Sequence, residues 1–163
     1  MLIDEVNITL QGGHGGAGKV SFKPGKKGGP DGGNGGRGGD VYITATSDLK
    51  ALNQFSQKKV LYAQDGFPGE SNKSTGKSGQ DLTIELPLGT ELLDTKTNEV
   101  FTIESLDQKL LICKGGLGGK GNFELKSPKN TTPTYAQTGL KGVERNLNII
   151  LKIITVLNSR VTI

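Results

Sequence analysis

Residues 12–39 read GGHGGAGKVSFKPGKKGGPDGGNGGRGG, and half of them are glycine. Glycine pairs recur on a period of three, at Gly12-Gly13, Gly15-Gly16, Gly32-Gly33, Gly35-Gly36 and Gly38-Gly39. The pattern returns at Gly115-Gly116-Leu117-Gly118-Gly119-Lys120-Gly121. A period of three matches the polyproline II helix, which has three residues per turn and no internal hydrogen bonds. Two glycines in each triplet leave two faces without side chains, so such strands can lie side by side at backbone distance and hydrogen-bond to one another. The predicted element is a bundle of polyproline II-like strands resting on Gly12, Gly13, Gly15, Gly16, Gly32, Gly33, Gly35, Gly36, Gly115, Gly116, Gly118 and Gly119. A disordered glycine-rich linker is the alternative. It is disfavoured because linkers rarely sit between strand-like segments and rarely repeat their spacing later in the chain.

The 163 residues suffice for one domain with its own core, or two small subdomains. Only 33% of them are hydrophobic and none is tryptophan, so the apolar core must come from segments outside the glycine blocks. No apolar run reaches the length of a membrane span, and Asp4 and Glu5 stand where a signal peptide needs basic residues. A single cysteine, Cys113, excludes an internal disulfide and a cysteine-rich metal site, and is expected buried in a strand. These features fit a cytoplasmic protein, or one in an organelle interior. Collagen is excluded because the triplet period is local and proline is scarce.

Along the chain, Val6, Ile8 and Leu10 alternate with Asn7 and Thr9 as in a half-buried strand entering the first glycine block. Lys23-Pro24-Gly25-Lys26-Lys27 reads as an exposed loop and Asp40–Ala45 as a strand. Ser47 or Asp48 is placed to cap a short helix through Leu49, Leu52 and Phe55, the only helix expected. Residues 58–63 read as extended and 66–79 as a polar loop. Short strands follow at Leu82–Leu86, Glu91–Leu93, Val100–Ile103 and Leu110–Cys113, with a hairpin loop at Asp94–Glu99. Residues 126–138 form a polar loop and 147–156 a last apolar strand. Short strands with regular turns suggest a small β-barrel or sandwich, so the fold class is mainly β.

Several catalytic motifs are matched only superficially. Gly13-His14-Gly15-Gly16-Ala17-Gly18 fits GxGxxG, but so do Gly33, Gly35, Gly38 and Gly116, Gly118, Gly121, as a dense glycine repeat produces by itself. A dinucleotide site needs a helix after the last glycine, and Val20-Ser21-Phe22 is β-prone. Ser74-Thr75-Gly76-Lys77-Ser78 resembles the end of a P-loop, but Ser71 stands where its first glycine belongs. His14 lacks the partners of a metal site or a catalytic dyad and is read as a solvent-facing turn residue. No catalytic residue and no metal ligand is assigned.

The cations are more informative. Lysine and arginine total 20 against 16 acidic residues, for a net charge of +4, a modest excess. Lys23, Lys26 and Lys27, then Lys73 and Lys77, then Lys126 and Lys129, fall in three separate expected loops. If those loops lie at one end of the molecule, they form a cationic tip suited to RNA phosphates. With few aromatics beside them, base stacking would be minor.

Taken together these residues resemble the amino-terminal domain of the Obg family of GTPases, over about residues 1–152. The resemblance rests on GGHGGAGKVSF, on KGGPDGGNGGRGGDV from Lys27 to Val41, on LPLGT ending at Thr90, on KGGLGGKGN from Lys114 to Asn122, and on Pro133, Gly139, Gly142 and Glu144-Arg145 leading to Leu151-Lys152. It implies a domain over 1–156, the Obg fold: a glycine-rich tip from about 12–40, 64–81 and 114–146, mounted on a β-barrel from about 1–11, 41–63, 82–113 and 147–156. Residues 157–163 would be a tail. It also implies engagement of the large ribosomal subunit and its rRNA in late subunit assembly and stress control. A following domain, expected outside this chain, would bind and hydrolyse GTP with magnesium. No cofactor is expected in the chain itself. The sequence departs from the family in a shorter first loop between Phe22 and Pro30, in Leu125 where phenylalanine is commoner, and after Lys152. There Ile153-Ile154-Thr155-Val156 replaces the family's lead into its P-loop.

Three functional expectations follow. The first is a ribosome-binding module whose preformed tip docks with little ordering cost. The second is a protein-interaction scaffold using the glycine-rich surface, with incidental lysines and no RNA contact. The third is a nucleotide binder acting through the glycine loops, and it is disfavoured.

Overall fold

The computed structural model describes residues 5–25, 27–55 and 60–151. Eight strands carry the core: β1 Glu5–Gln11, β2 Val41–Thr46, β3 Val60–Tyr62, β4 Leu82–Pro87, β5 Thr90–Asp94, β6 Val100–Thr102, β7 Lys109–Cys113 and β8 Glu144–Leu151. They pair into a five-stranded sheet of order β3-β1-β8-β5-β6 and a three-stranded sheet of order β4-β2-β7. The mainly-β class therefore holds, while the expected barrel is two open sheets among the described residues. The β1–β3 and β2–β4 pairs are parallel and the others antiparallel.

Period-two alternation decides which side chains face inward. Ile8 and Leu10 of β1 and Leu147, Ile149 and Leu151 of β8 are buried, while Asn7, Thr9, Asn146 and Asn148 lie on the opposite face. Ile43 and Leu86 from the smaller sheet join the same hydrophobic cluster, so the two sheets share one core. Leu52 and Phe55 seal it from a 3-10 helix, Ala51–Phe55. Asp48 leads into that helix as expected, its carboxylate accepting the Lys50 N–H at 2.9 Å. The helix is one tight turn, later and shorter than the predicted one. A second helix, α1 Asn122–Leu125, was not expected, because four residues are too few to show a period.

Between the strands the chain makes three excursions, each leaving one strand and returning to another. Residues 12–19 leave β1 and 31–39 return to β2; 64–70 leave β3 and 74–80 return to β4; 114–122 leave β7 and 137–143 return to β8. These segments are bonded to one another with a repeat of three. Gly12, Gly15 and Gly18 donate to the carbonyls of Val143, Leu140 and Gln137, whereas Gly13, Gly16 and Lys19 donate to those of Gly39, Gly36 and Gly33. The third residue of each triplet serves another neighbour, His14 and Ala17 accepting from Gly66 and Gly69. Each residue in a triplet thus faces a different partner, so the two-glycine triplet pattern becomes a packed bundle.

Residues 66–79, a polar loop by composition, are part of this bundle: Phe67 donates to Lys77 and Glu70 to Ser74. The end of the loop expected at 126–138 likewise enters the returning segment, with Gln137 donating to Lys120. Residues 56–59 and 152–163, which include the start of the 58–63 segment, the end of the last predicted strand and the tail, lie outside the described residues. Among the described residues no helix is long and apolar enough to cross a membrane.

Candidate nucleic-acid interface

Segments 12–19, 64–70 and 114–122 run parallel, because Gly66 and Gly69 donate to His14 and Ala17, and Gly116, Gly119 and Asn122 donate to Gly13, Gly16 and Lys19. Each has its returning partner antiparallel to it. Three parallel excursions must turn round at the same end, so the topology gathers the lysine-bearing turns into one tip.

The first turn is closed by the Phe22–Pro30 bridge and the Lys23 N–H to Gly29 carbonyl bond of 2.9 Å, with Gly25 at φ 108°. In the second, Asn72 and Lys73 both adopt φ of 61°. Such conformations are uncommon for residues other than glycine. Asp31, from the start of the 31–39 segment, holds them: its carboxylate accepts the Asn72 N–H at 3.1 Å and its carbonyl the Lys73 N–H at 2.7 Å. The third turn starts with α1 and closes through reciprocal bonds between Ser127 and Asn130.

Asn122 ties these turns together. Its side chain is fully buried; Oδ1 accepts the N–H of Gly32 at 2.8 Å and of Ser21 at 3.4 Å, and Nδ2 donates to the Pro133 carbonyl at 3.1 Å. Phe123 follows it, half-buried, with the ammonium of Lys73 4.3 Å from its ring centroid and that of Lys126 4.2 Å away. Lys126 also lines a groove of about 500 Å³ with Gly29, Pro30, Ser127, Pro128 and Thr131.

Lys23, Lys27, Lys73, Lys126 and Lys129 are exposed on the three turns. Lys77 is exposed too, but it sits on the returning segment one triplet behind Ser74. Lys26 lies outside the described residues. Among the described residues none of these lysines is ion-paired to a carboxylate. Two exposed acids, Glu70 and Glu124, stand in the same region. Asn122, Phe123 and Asp31 are tip organisers that the sequence analysis does not single out: Asn122 and Asp31 lie within the motifs KGGLGGKGN and KGGPDGG that carry the resemblance, and Phe123 directly follows the first of them.

In GxGxxG from Gly13, the N–H groups that would cradle phosphate are given to Gly39, Leu140, Gly36 and Gln137, and Gly76 of the P-loop-like stretch donates to Asn34. His14 is not a solvent-facing turn residue. Its Nδ1 accepts the Gly142 N–H at 3.0 Å, its own N–H donates to Asp65 at 2.8 Å, and the side chain is half-buried against the returning segment. Among the described residues no three histidine, cysteine or acidic side chains cluster as metal ligands would.

The sequence matches the family described as GTP1/OBG over residues 3–153. This chain belongs to the GTP1/OBG family. It is 46% identical to the GTPase Obg of Aquifex aeolicus (strain VF5), an alignment covering 93% of this chain and 46% of that protein. The GTPase Obg of Malacoplasma penetrans (strain HF-2) is 43% identical over 87% of this chain and 34% of its own length, and that of Coprothermobacter proteolyticus 41% identical over 94% and 38%. The chain thus spans less than half the length of these relatives.

In this GTP1/OBG-family chain the bundle is fixed at its base by Asp40. That carboxylate accepts the Gly115 N–H at 2.7 Å and pairs with Arg37 at 2.9 Å, with the Tyr42 hydroxyl at 3.3 Å. Burial works against its charge, but these donors outweigh burial and hold its pKa below the usual carboxylate value. Cys113 is buried at the end of β7, as expected, and burial pushes its thiol up to about 11.

Proposed function

We propose that this chain is the ribosome-binding module of an Obg-type GTPase, docking on the large ribosomal subunit through its glycine-rich tip during subunit assembly or stress control. The single observation that carries the reading is the convergence of three lysine-bearing turns at one end of a hydrogen-bonded bundle. A tip held by backbone bonds needs little ordering on contact, and its unpaired lysines exchange water and counterions for rRNA phosphates. The bundle strands are polyproline II-like in this reading, from their repeat of three.

GTP binding and hydrolysis with magnesium belong, in this reading, to the part of the relatives that this chain does not span. The chain itself is not an enzyme and takes no nucleotide, in keeping with glycine N–H groups already committed to neighbouring carbonyls. The GTP state of the full-length protein gates docking, and the place of action is the cytoplasm or an organelle interior.

A second reading, a protein-interaction scaffold, is favoured by Leu117, Leu140 and Val143, which are exposed along one flank of the bundle. Co-sedimentation with purified large ribosomal subunits across a salt series separates the two. A variant with Lys23, Lys26, Lys27, Lys73, Lys77, Lys126 and Lys129 changed to alanine runs beside the parent. Binding that weakens with salt and is lost in the variant is expected. Salt-insensitive binding retained by the variant supports the scaffold, and no binding by either refutes docking.

A further inference from the structure

Lys73 and Lys126 come from different turns, yet both ammonium groups rest on one ring, Phe123. At 4.3 and 4.2 Å from one ring centroid, these two like charges stand close enough to repel each other. Neither is ion-paired to a carboxylate among the described residues. The negative face of the ring offsets part of the repulsion, the gain at a half-buried ring is modest, and the nearby acids Glu70 and Glu124 are exposed and form no ion pair with either lysine among the described residues. The arrangement therefore has unspent attraction for an anion.

The surroundings hold both lysines at that point. Asp31 fixes the backbone of Lys73, and the bonds of buried Asn122 to Gly32 and Pro133 fix the helical turn that presents Phe123 and leads into Lys126. Without the ring, each four-carbon side chain would sample many rotamers and lose that freedom on binding.

We propose that Lys73, Phe123 and Lys126 form a phosphate clamp, in which Phe123 is a positioning residue that directs both ammonium groups at one backbone phosphodiester of RNA. The clamp rests on the docking reading above. Phe123 touches the lysines rather than the phosphate, and Lys126 extends the same cationic point to the groove beside Pro30 and Pro128.

The test measures affinity for purified large ribosomal subunits and for deproteinised rRNA across a salt series, with the whole chain. Phe123→Leu keeps apolar bulk but removes the ring, and Phe123→Tyr keeps the ring. The expected result is about three- to tenfold weaker binding by Phe123→Leu at moderate salt, with Phe123→Tyr within about twofold of the parent. Replacing Lys73 and Lys126 by glutamine should cost distinctly less in the Phe123→Leu background than in the parent. Proton shifts of the two lysine side chains, moved by the ring current in the parent and in Phe123→Tyr, report positioning without any ligand. Docking that survives with Phe123→Leu unaffected, or with the lysine and ring effects simply additive, overturns the clamp and leaves docking intact. Binding to subunits without binding to rRNA also overturns it. Absence of binding to either probe overturns docking and clamp together.

Discussion

Gly35 lies so close to the Gly16 carbonyl that a β-carbon on Gly35 would stand 1.9 Å from that oxygen. The same oxygen accepts the N–H of Gly119, and Gly35 itself donates to the Gly119 carbonyl at 2.9 Å. Three segments of the bundle therefore meet at backbone distance around one point. A methyl group there cannot be met by rotating a side chain, because every neighbour is main chain.

Gly35→Ala should consequently lower stability by about 3 kcal/mol or more, since segments must part and lose bonds. For a chain of this size that corresponds to a fall of roughly 10 °C in Tm. Gly29→Ala is the matched control, because a β-carbon at Gly29 meets nothing within 4 Å and its φ is not positive. Equal melting temperatures for the two variants would contradict the packing described.

Asn122→Leu keeps the approximate shape of the side chain but leaves the Gly32 N–H and the Pro133 carbonyl without their partners. The expected cost is about 2–4 kcal/mol, the range for unpaired buried polar groups. Amide hydrogen exchange should locate it: Gly32 exchanges faster, whereas Gly39 at the base of the bundle keeps its protection. Uniformly faster exchange throughout the bundle would argue against a local role.

The triplet glycines made the bundle legible because two bare faces per strand have few other uses. Which segments would pair was not legible, since glycines carry no side chain to specify a partner. By composition alone residues 66–79 read as a polar loop, for a related reason. Gly66, Gly69, Gly76 and Gly79 keep the step of three but supply one glycine per triplet, and the other positions are polar and largely exposed. An outer segment needs fewer bare faces than a central one, so its composition resembles a loop. The β-strands were plain from alternation, but their closure depends on edge pairing that alternation does not encode. At the tip, the lysines could be recognised from charge, whereas the partnership of Phe123 with two of them depends on bringing 73 and 126 together across the fold.

His14 joins the 12–19 segment to the returning 137–143 segment through the Gly142 N–H. The bond uses the Nδ1 lone pair of the ring as its acceptor. His14→Phe retains an aromatic ring without an acceptor and should cost about 1 kcal/mol. Exchange of the Gly142 amide should accelerate while that of Gly16, which bonds to Gly36, stays slow. An unchanged Gly142 amide would show that the histidine contributes only packing.

Arg145 on β8 reaches both sheets, donating to the Ile112 carbonyl at 2.8 Å and pairing with buried Asp94 at 2.8 Å and with Glu99 at 3.2 Å. Burial opposes charge on Asp94, but the N–H groups of Lys96 and Thr97 and the Arg145 guanidinium outweigh it, so its pKa lies below the usual carboxylate value. A carboxylate with a depressed folded-state pKa contributes stability above its unfolded value of about 3.9, and that contribution disappears as pH falls through the folded value. Asp94→Asn should therefore destabilise the chain by about 2–4 kcal/mol at pH 7, because it leaves a largely buried guanidinium short of its partner. The difference from the parent should narrow as pH falls below the unfolded value of about 3.9 and through the lower folded one, where the parent's own Asp94 takes up a proton. Urea midpoints measured from pH 7 to pH 2.5 check this: a gap that stays constant through the acid range would mean that Asp94 holds Arg145 through shape rather than charge.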